Sequence, residues 1–123
     1  MLKRLRWTLL WALVILVLCL IPGKDLPRYP WADLLSFDKL VHAGVFFVLA
    51  WLMVVAVRPA GFHPAVRWTA GVCAAYGGLL EVMQGTLMTD RYADVGDFVA
   101  NGIGVALGLW WWARRERSRT LPT

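Results

Sequence analysis

Charge in this chain is confined to short intervals, and that confinement limits the folds open to it more than any other feature. Between the intervals lie four apolar stretches, at about residues 7–21, 37–57, 68–87 and 97–113. A helix needs roughly 20 apolar residues to cross a bilayer core of about 30 Å. In lipid the backbone must satisfy its own hydrogen bonds, which a helix does within one segment. With 59% hydrophobic residues and 8 tryptophans among 123 positions, the chain carries more apolar surface than a soluble core of this size hides. These stretches predict an all-α integral membrane protein, a four-transmembrane-helix bundle forming a single domain over residues 1–123.

The position of each charge then sets the orientation. Of the 13 basic residues, Lys3, Arg4 and Arg6 precede the first stretch, Arg58 and Arg67 bracket the interval after the second, and Arg114, Arg115, Arg117 and Arg119 follow the fourth. An even number of crossings puts these intervals on one side, with Glu116 as their one acid. The other side holds Lys24, Arg28, Lys39 and Arg91 with the remaining acids. Positively charged flanks stay in the cytoplasm, so both termini are expected there, in a multi-pass protein of the bacterial cytoplasmic (inner) membrane. The net charge of +5 is accounted for by topology and by contact with anionic membrane lipids. No nucleic-acid recognition motif accompanies it, and no nucleic-acid partner is expected.

The first stretch is apolar all round, with Trp7 and Trp11 near the inner interface. It is expected to be retained as an anchor rather than cleaved, since no A-x-A site follows Leu18 and Cys19. Pro22 and Gly23 end it. The following interval, rich in proline and aromatic residues, is expected in the outer headgroup region, with at most a short helix at 31–35. Cys19 and Cys73 fall within spans, which argues against a disulfide framework. His63, beside Pro64, is expected to be a solvated loop residue. Ala70, Gly71, Ala74, Ala75, Gly77 and Gly78 in the third stretch, and Gly104 and Gly108 in the fourth, predict that the third and fourth helices approach nearly backbone to backbone.

Polar residues interrupt the apolar pattern at one level. Ser36 is a plausible N-cap for the second stretch, Asp38 falls in its first turn, and His42 lies one turn further on the same face. Glu81 and Gln84 form a stripe near the end of the third stretch, because residues three and four apart share a helix face. Asp94, Asp97 and Asn101 form another at the start of the fourth. Glu81 lies about six residues from the outer end of its span, roughly 9 Å deep at 1.5 Å per residue, and His42 and Asn101 lie at comparable depth. Three spans thus bring polar groups to one outward-facing pocket.

That constellation admits three readings. The polar groups can be interhelical glue, at about 0.6 kcal/mol per bond. They can form a catalytic or metal site, in which His42, Glu81, Asp94 and Asp97 supply nitrogen and oxygen ligands for a divalent metal or act as an acid and base. Or they can bind a ligand, with Lys39 and Arg91 at the rim holding an anion while Asp38, Gln84 and Asn101 read a polar headgroup. An outward opening favours a lipid headgroup or a lipid-linked cell-wall precursor over a cytoplasmic metabolite. A histidine inside a span is costly enough to mark a site by itself.

Asp38-Lys39-x-x-His42 opening one span, Glu81-x-x-Gln84 closing the next, then Arg91, Asp94-x-x-Asp97 and Asn101-x-x-Gly104 opening the last resemble the motifs of the VanZ-like membrane proteins. The resemblance covers the chain from about Phe37 to Gly108. It implies a small multi-span protein of the bacterial cell envelope, in a family named for a member linked to resistance to the glycopeptide antibiotic teicoplanin. Transfer or hydrolysis on a lipid-linked substrate, and a non-catalytic membrane scaffold, are the alternative functions.

Overall fold

The computed structural model describes residues 1–21, 37–88 and 93–120. These form four α-helices: α1 (Leu2–Leu20), α2 (Phe37–Val57), α3 (Phe62–Leu87) and α4 (Val95–Thr120), with a 3₁₀ turn at Arg58–Ala60 between α2 and α3. The chain is all-helical among the described residues. Among the described residues one segment, Asp38–Ala60, is by itself long and apolar enough to cross a membrane. Ser36, the interval at 22–35 and Arg91 lie outside the described residues.

Three of the helices run past the apolar stretches that predict them. α1 takes in Lys3, Arg4 and Arg6, and α4 continues through Arg114–Thr120. Lysine, arginine and glutamate are good helix formers, so a charged flank need not unwind. The third helix begins at Phe62 rather than at Trp68, which corrects the placement of His63. That residue is exposed in the first turn of α3 and not in a loop. Gly61, at φ 102°, redirects the chain within one residue. Pro64 then sits in the first helical turn, where its missing N–H is no loss.

The helices alternate in direction. α1 and α3 run parallel, tied by the Tyr76 hydroxyl donating to the Ala12 carbonyl and by Gln84 Nε2 donating to the Cys19 carbonyl at 3.2 Å. α2 runs opposite to them and is central, touching each of the other three. Its Phe46, Leu49 and Ala50 meet Ile15 of α1, Cys73 and Leu80 of α3 and Val105 of α4 in the main apolar cluster. A second cluster of Val54, Ala65 and Trp112 closes the opposite end. There Phe62 stacks on Trp112 at 5.2 Å and Arg58 pairs with Glu116 at 3.6 Å. The aliphatic and indole side chains of Leu9, Leu13, Trp68, Val72, Ile103 and Leu107 remain exposed on the outside of the bundle.

The most extensive interface joins α2 to α4, which run parallel. A Cβ on Gly104 would collide with the Ala43 carbonyl, and one on Gly108 would lie 2.7 Å from the Phe47 oxygen. The small-x-x-x-small pair thus brings α4 against α2, correcting the expectation that it joins α4 to α3. The pattern marks a backbone approach but does not name the partner. Between α3 and α4 there is instead a cavity of about 280 Å³, lined by residues including Ala70, Ala74, Gly77, Phe98, Asn101 and Ala106.

Gly104→Ala should therefore lower the thermal midpoint of the detergent-purified protein by an amount corresponding to about 1–3 kcal/mol, the usual cost of overpacking. Gly102→Ala, where an added methyl meets nothing within 4 Å, should leave it unchanged or raise it. Equal midpoints for the two variants would remove the close approach as the basis of the α2–α4 register.

Candidate functional site

The antiparallel course of the chain puts the start of α2, the end of α3 and the start of α4 at one end of the bundle. Asp94 stands just before α4 and caps it. Its Oδ1 accepts the Gly96 N–H at 2.7 Å, and its carbonyl accepts the N–H groups of Asp97 and Phe98, each at 3.1 Å. An aspartate at this position satisfies donors that the first helical turn leaves open. The same backbone contact, followed by Lys39, holds the Asp94 carboxyl below the usual carboxylate range.

Among the described residues Lys39 is the cation of the rim. Its Nζ lies 3.2 Å from Asp97 Oδ1, 3.3 Å from Asp94 Oδ2 and 3.6 Å from the exposed Asp38 carboxylate. Below it, His42 Nδ1 lies 3.0 Å from Asn101 Oδ1, and His42 Nε2 lies 3.5 Å from Asp97 Oδ2. Since the amide oxygen only accepts, His42 Nδ1 carries the proton. Asp97 is thus shared, one oxygen facing Lys39 and the other facing the imidazole. Glu81 enters from α3, 6% exposed, and its Oε2 accepts the Asp94 backbone N–H at 3.0 Å. Ligand atoms of His42, Glu81 and Asp97 lie within 4.8 Å of one another, so these three side chains can hold a metal ion between them.

Two buried polar atoms at this level have no hydrogen-bond partner among the described residues, Glu81 Oε1 and Asn101 Nδ2. Such atoms cost about 1–3 kcal/mol each. Asn101 also lines the apolar cavity between α3 and α4. The polar cluster and the cavity therefore meet at one side chain.

A family model, VanZ/LLP1, matches residues 4–115, nearly the whole chain. The chain belongs to the VanZ/LLP1 family. Comparison with curated proteins and with solved structures returned no match.

Of the residues that the sequence marks out in this VanZ/LLP1 chain, the structure brings Lys39, His42, Glu81, Asp94, Asp97 and Asn101 into one connected group, with Asp38 at its exposed edge. Gln84 is buried, but its amide is engaged by the Cys19 carbonyl of α1. No side-chain hydrogen bond joins it to the cluster among the described residues. Arg91 lies outside them. Sequence reasoning passed over Gly77, where an added Cβ would stand 3.3 Å from Asn101 Nδ2 and from Phe46. Its one available signal was its place in the small-residue stripe of the third stretch.

The Asp94 carboxyl gives the fold an acid limb. Its folded value lies below the unfolded one, so its contribution is present above the unfolded range and is lost as pH falls through the folded value, from about pH 4 downward. Asp94→Asn keeps an N-cap oxygen but not the charge. Its thermal midpoint should fall less steeply than wild type between about pH 4 and pH 2. Parallel curves would show that the contacts of Asp94 do not couple to folding.

Proposed function

We propose that this VanZ/LLP1 protein is a multi-pass protein of the bacterial cytoplasmic membrane, and that its polar cluster receives the headgroup of an envelope lipid or lipid-linked cell-wall precursor. One observation carries the reading: the buried polar cluster and an apolar cavity of about 280 Å³ meet at Asn101. A lipid presents that combination, a polar head joined to an apolar chain. The Asn101 amide, unpartnered among the described residues, is a donor suited to a carbonyl or phosphate oxygen at that junction.

Several features support the membrane setting. Apolar side chains on α1, α3 and α4 face outward, an arrangement expensive in water and natural against acyl chains. The start of α1, the turn after α2 and the end of α4 gather at the end opposite the cluster. At that end guanidinium groups lie over indole rings in the pairs Arg6–Trp7 at 5.5 Å, Arg114–Trp110 at 5.2 Å and Arg115–Trp111 at 5.0 Å. Basic and aromatic residues of this kind anchor helix ends at a cytoplasmic interface. The cluster then faces outward, toward the compartment where cell-wall precursors are used.

The role fits the glycopeptide resistance from which the VanZ family takes its name, through modification or protection of the envelope. A catalytic version assigns proton transfer on the lipid-linked substrate to His42 and Glu81 and its orientation to Asn101.

A deletion strain complemented with wild type, His42→Ala, Glu81→Gln or Ala106→Phe separates these readings. Wild type should restore the parental lipid profile and teicoplanin susceptibility. The three variants should fail while accumulating in the membrane at normal levels, Ala106→Phe because it fills the cavity. Failure with loss of folded protein would instead support polar residues acting as interhelical glue, and full complementation by all three would remove the site. A C-terminal reporter should be active in the cytoplasm, and activity outside would overturn the orientation.

A further inference from the structure

We propose that His42, Glu81 and Asp97 form a binding site for a first-row divalent cation, of the class represented by Zn²⁺ and Mn²⁺. The three donors come from three helices, and their ligand atoms already lie within 4.8 Å of one another. The orientation of each side chain points to the same centre. His42 Nδ1–H donates to Asn101 Oδ1 at 3.0 Å, which leaves Nε2 as the ligand nitrogen, facing Asp97 Oδ2 at 3.5 Å. An imidazole lone pair and a carboxylate oxygen repel each other at that distance unless a proton or a cation stands between them.

Glu81 is the independent observation. Its side chain is more than nine-tenths buried, with Oε2 held by the Asp94 N–H and Oε1 left without a partner among the described residues. Lys39 does not fill the gap, because its Nζ is engaged by Asp38, Asp94 and Asp97, and no ion pair or hydrogen bond joins it to Glu81 among the described residues. Three carboxylates thus gather around one ammonium, and a fourth, the most buried, has an oxygen without a partner among the described residues. A divalent cation at the centre would satisfy that oxygen and offset the excess negative charge in one step.

The surroundings have the form that metal sites use. Each proposed ligand is steadied by an outer partner: His42 by the Asn101 amide, Glu81 by the Asp94 N–H and Asp97 by Lys39. Such partners fix the tautomer and the direction of the ligands. One imidazole and two carboxylates make a mixed nitrogen and oxygen set, which favours Zn²⁺, Mn²⁺ or Fe²⁺ over the thiolate-seeking ions. Three protein ligands leave coordination positions open, as in catalytic rather than structural sites. The inference does not depend on which lipid, if any, enters the neighbouring cavity.

The test uses full-length protein in detergent, without a polyhistidine tag, stripped of metal and then dialysed separately against Zn²⁺ and Mn²⁺. Elemental analysis should give about one equivalent per chain. The same should hold for Glu116→Gln and His63→Gln, which change ionisable groups away from the cluster. Glu81→Gln, His42→Gln and Asp97→Asn should each weaken retention by at least about tenfold. Wild type holding no stoichiometric metal of either kind, or Glu81→Gln holding it as well as wild type, would overturn the proposal.

Should the cluster variants fail to fold, wild type alone decides. Co²⁺ should produce a ligand-field spectrum of a low-coordinate site with a nitrogen donor, and the thermal midpoint should rise with Zn²⁺ concentration as linkage requires. Absence of both would overturn the site. Lipid co-purifying with the metal-stripped protein would leave the lipid reading standing if metal binding fails. Metal bound in protein that retains no lipid would count against the lipid reading alone.

Discussion

The close approach of α2 and α4 is the constraint on which the rest of this structure depends. Gly104 and Gly108 let α4 lie directly against the backbone of α2 at Ala43 and Phe47. Because the two helices are parallel, one register sets every contact along them. His42 meets Asn101 about one turn, and Lys39 meets Asp97 about two turns, above Gly104. Fixing two backbones at van der Waals distance therefore fixes the polar groups at their ends. The apolar core of Phe46, Leu49, Ala50 and Val105 fills the same seam.

Attachment of the outer helices relies more on polar contacts to carbonyls. Trp11 Nε1 donates to the Val45 carbonyl at 2.9 Å, Tyr76 donates to Ala12 and Gln84 to Cys19. Hydrogen bonds of this kind gain geometric definition in an apolar setting, where few competing donors exist. They hold α1 against α2 and α3 and so place Glu81 opposite Asp97. The buried Glu81 carboxylate carries an unsatisfied oxygen, so the geometry that assembles the cluster also concentrates its electrostatic cost there.

Much of this architecture was legible in the residues. Apolar run length gave the four helices, and helical spacing placed His42, Glu81, Asp97 and Asn101 at one level. What stayed hidden was pairing. A small-x-x-x-small pattern signals that a backbone comes close but is silent on which one, so Gly104 and Gly108 read equally well against α3 and α2. Gln84 shares a face with Glu81 by spacing, yet three residues of offset is enough to aim its amide at α1. Three helices also run past their apolar stretches while α2 matches its own, because hydropathy reports where a segment is apolar and not where its hydrogen bonds stop. His63 reads as a loop residue because it falls between the apolar stretches, yet the helix starts at Phe62 and Pro64 is at home in its first turn.

The parallel course of α2 and α4 has a further electrostatic result. Peptide dipoles sum along each helix, leaving about half a positive charge at the amino end. Two such ends are set side by side here, with Asp38 and Asp97 in their first turns. An isolated pair of parallel rods would resist that alignment. The acidic residues set opposite charge against both positive ends, so the same carboxylates that build the cluster also help to hold the two helices side by side.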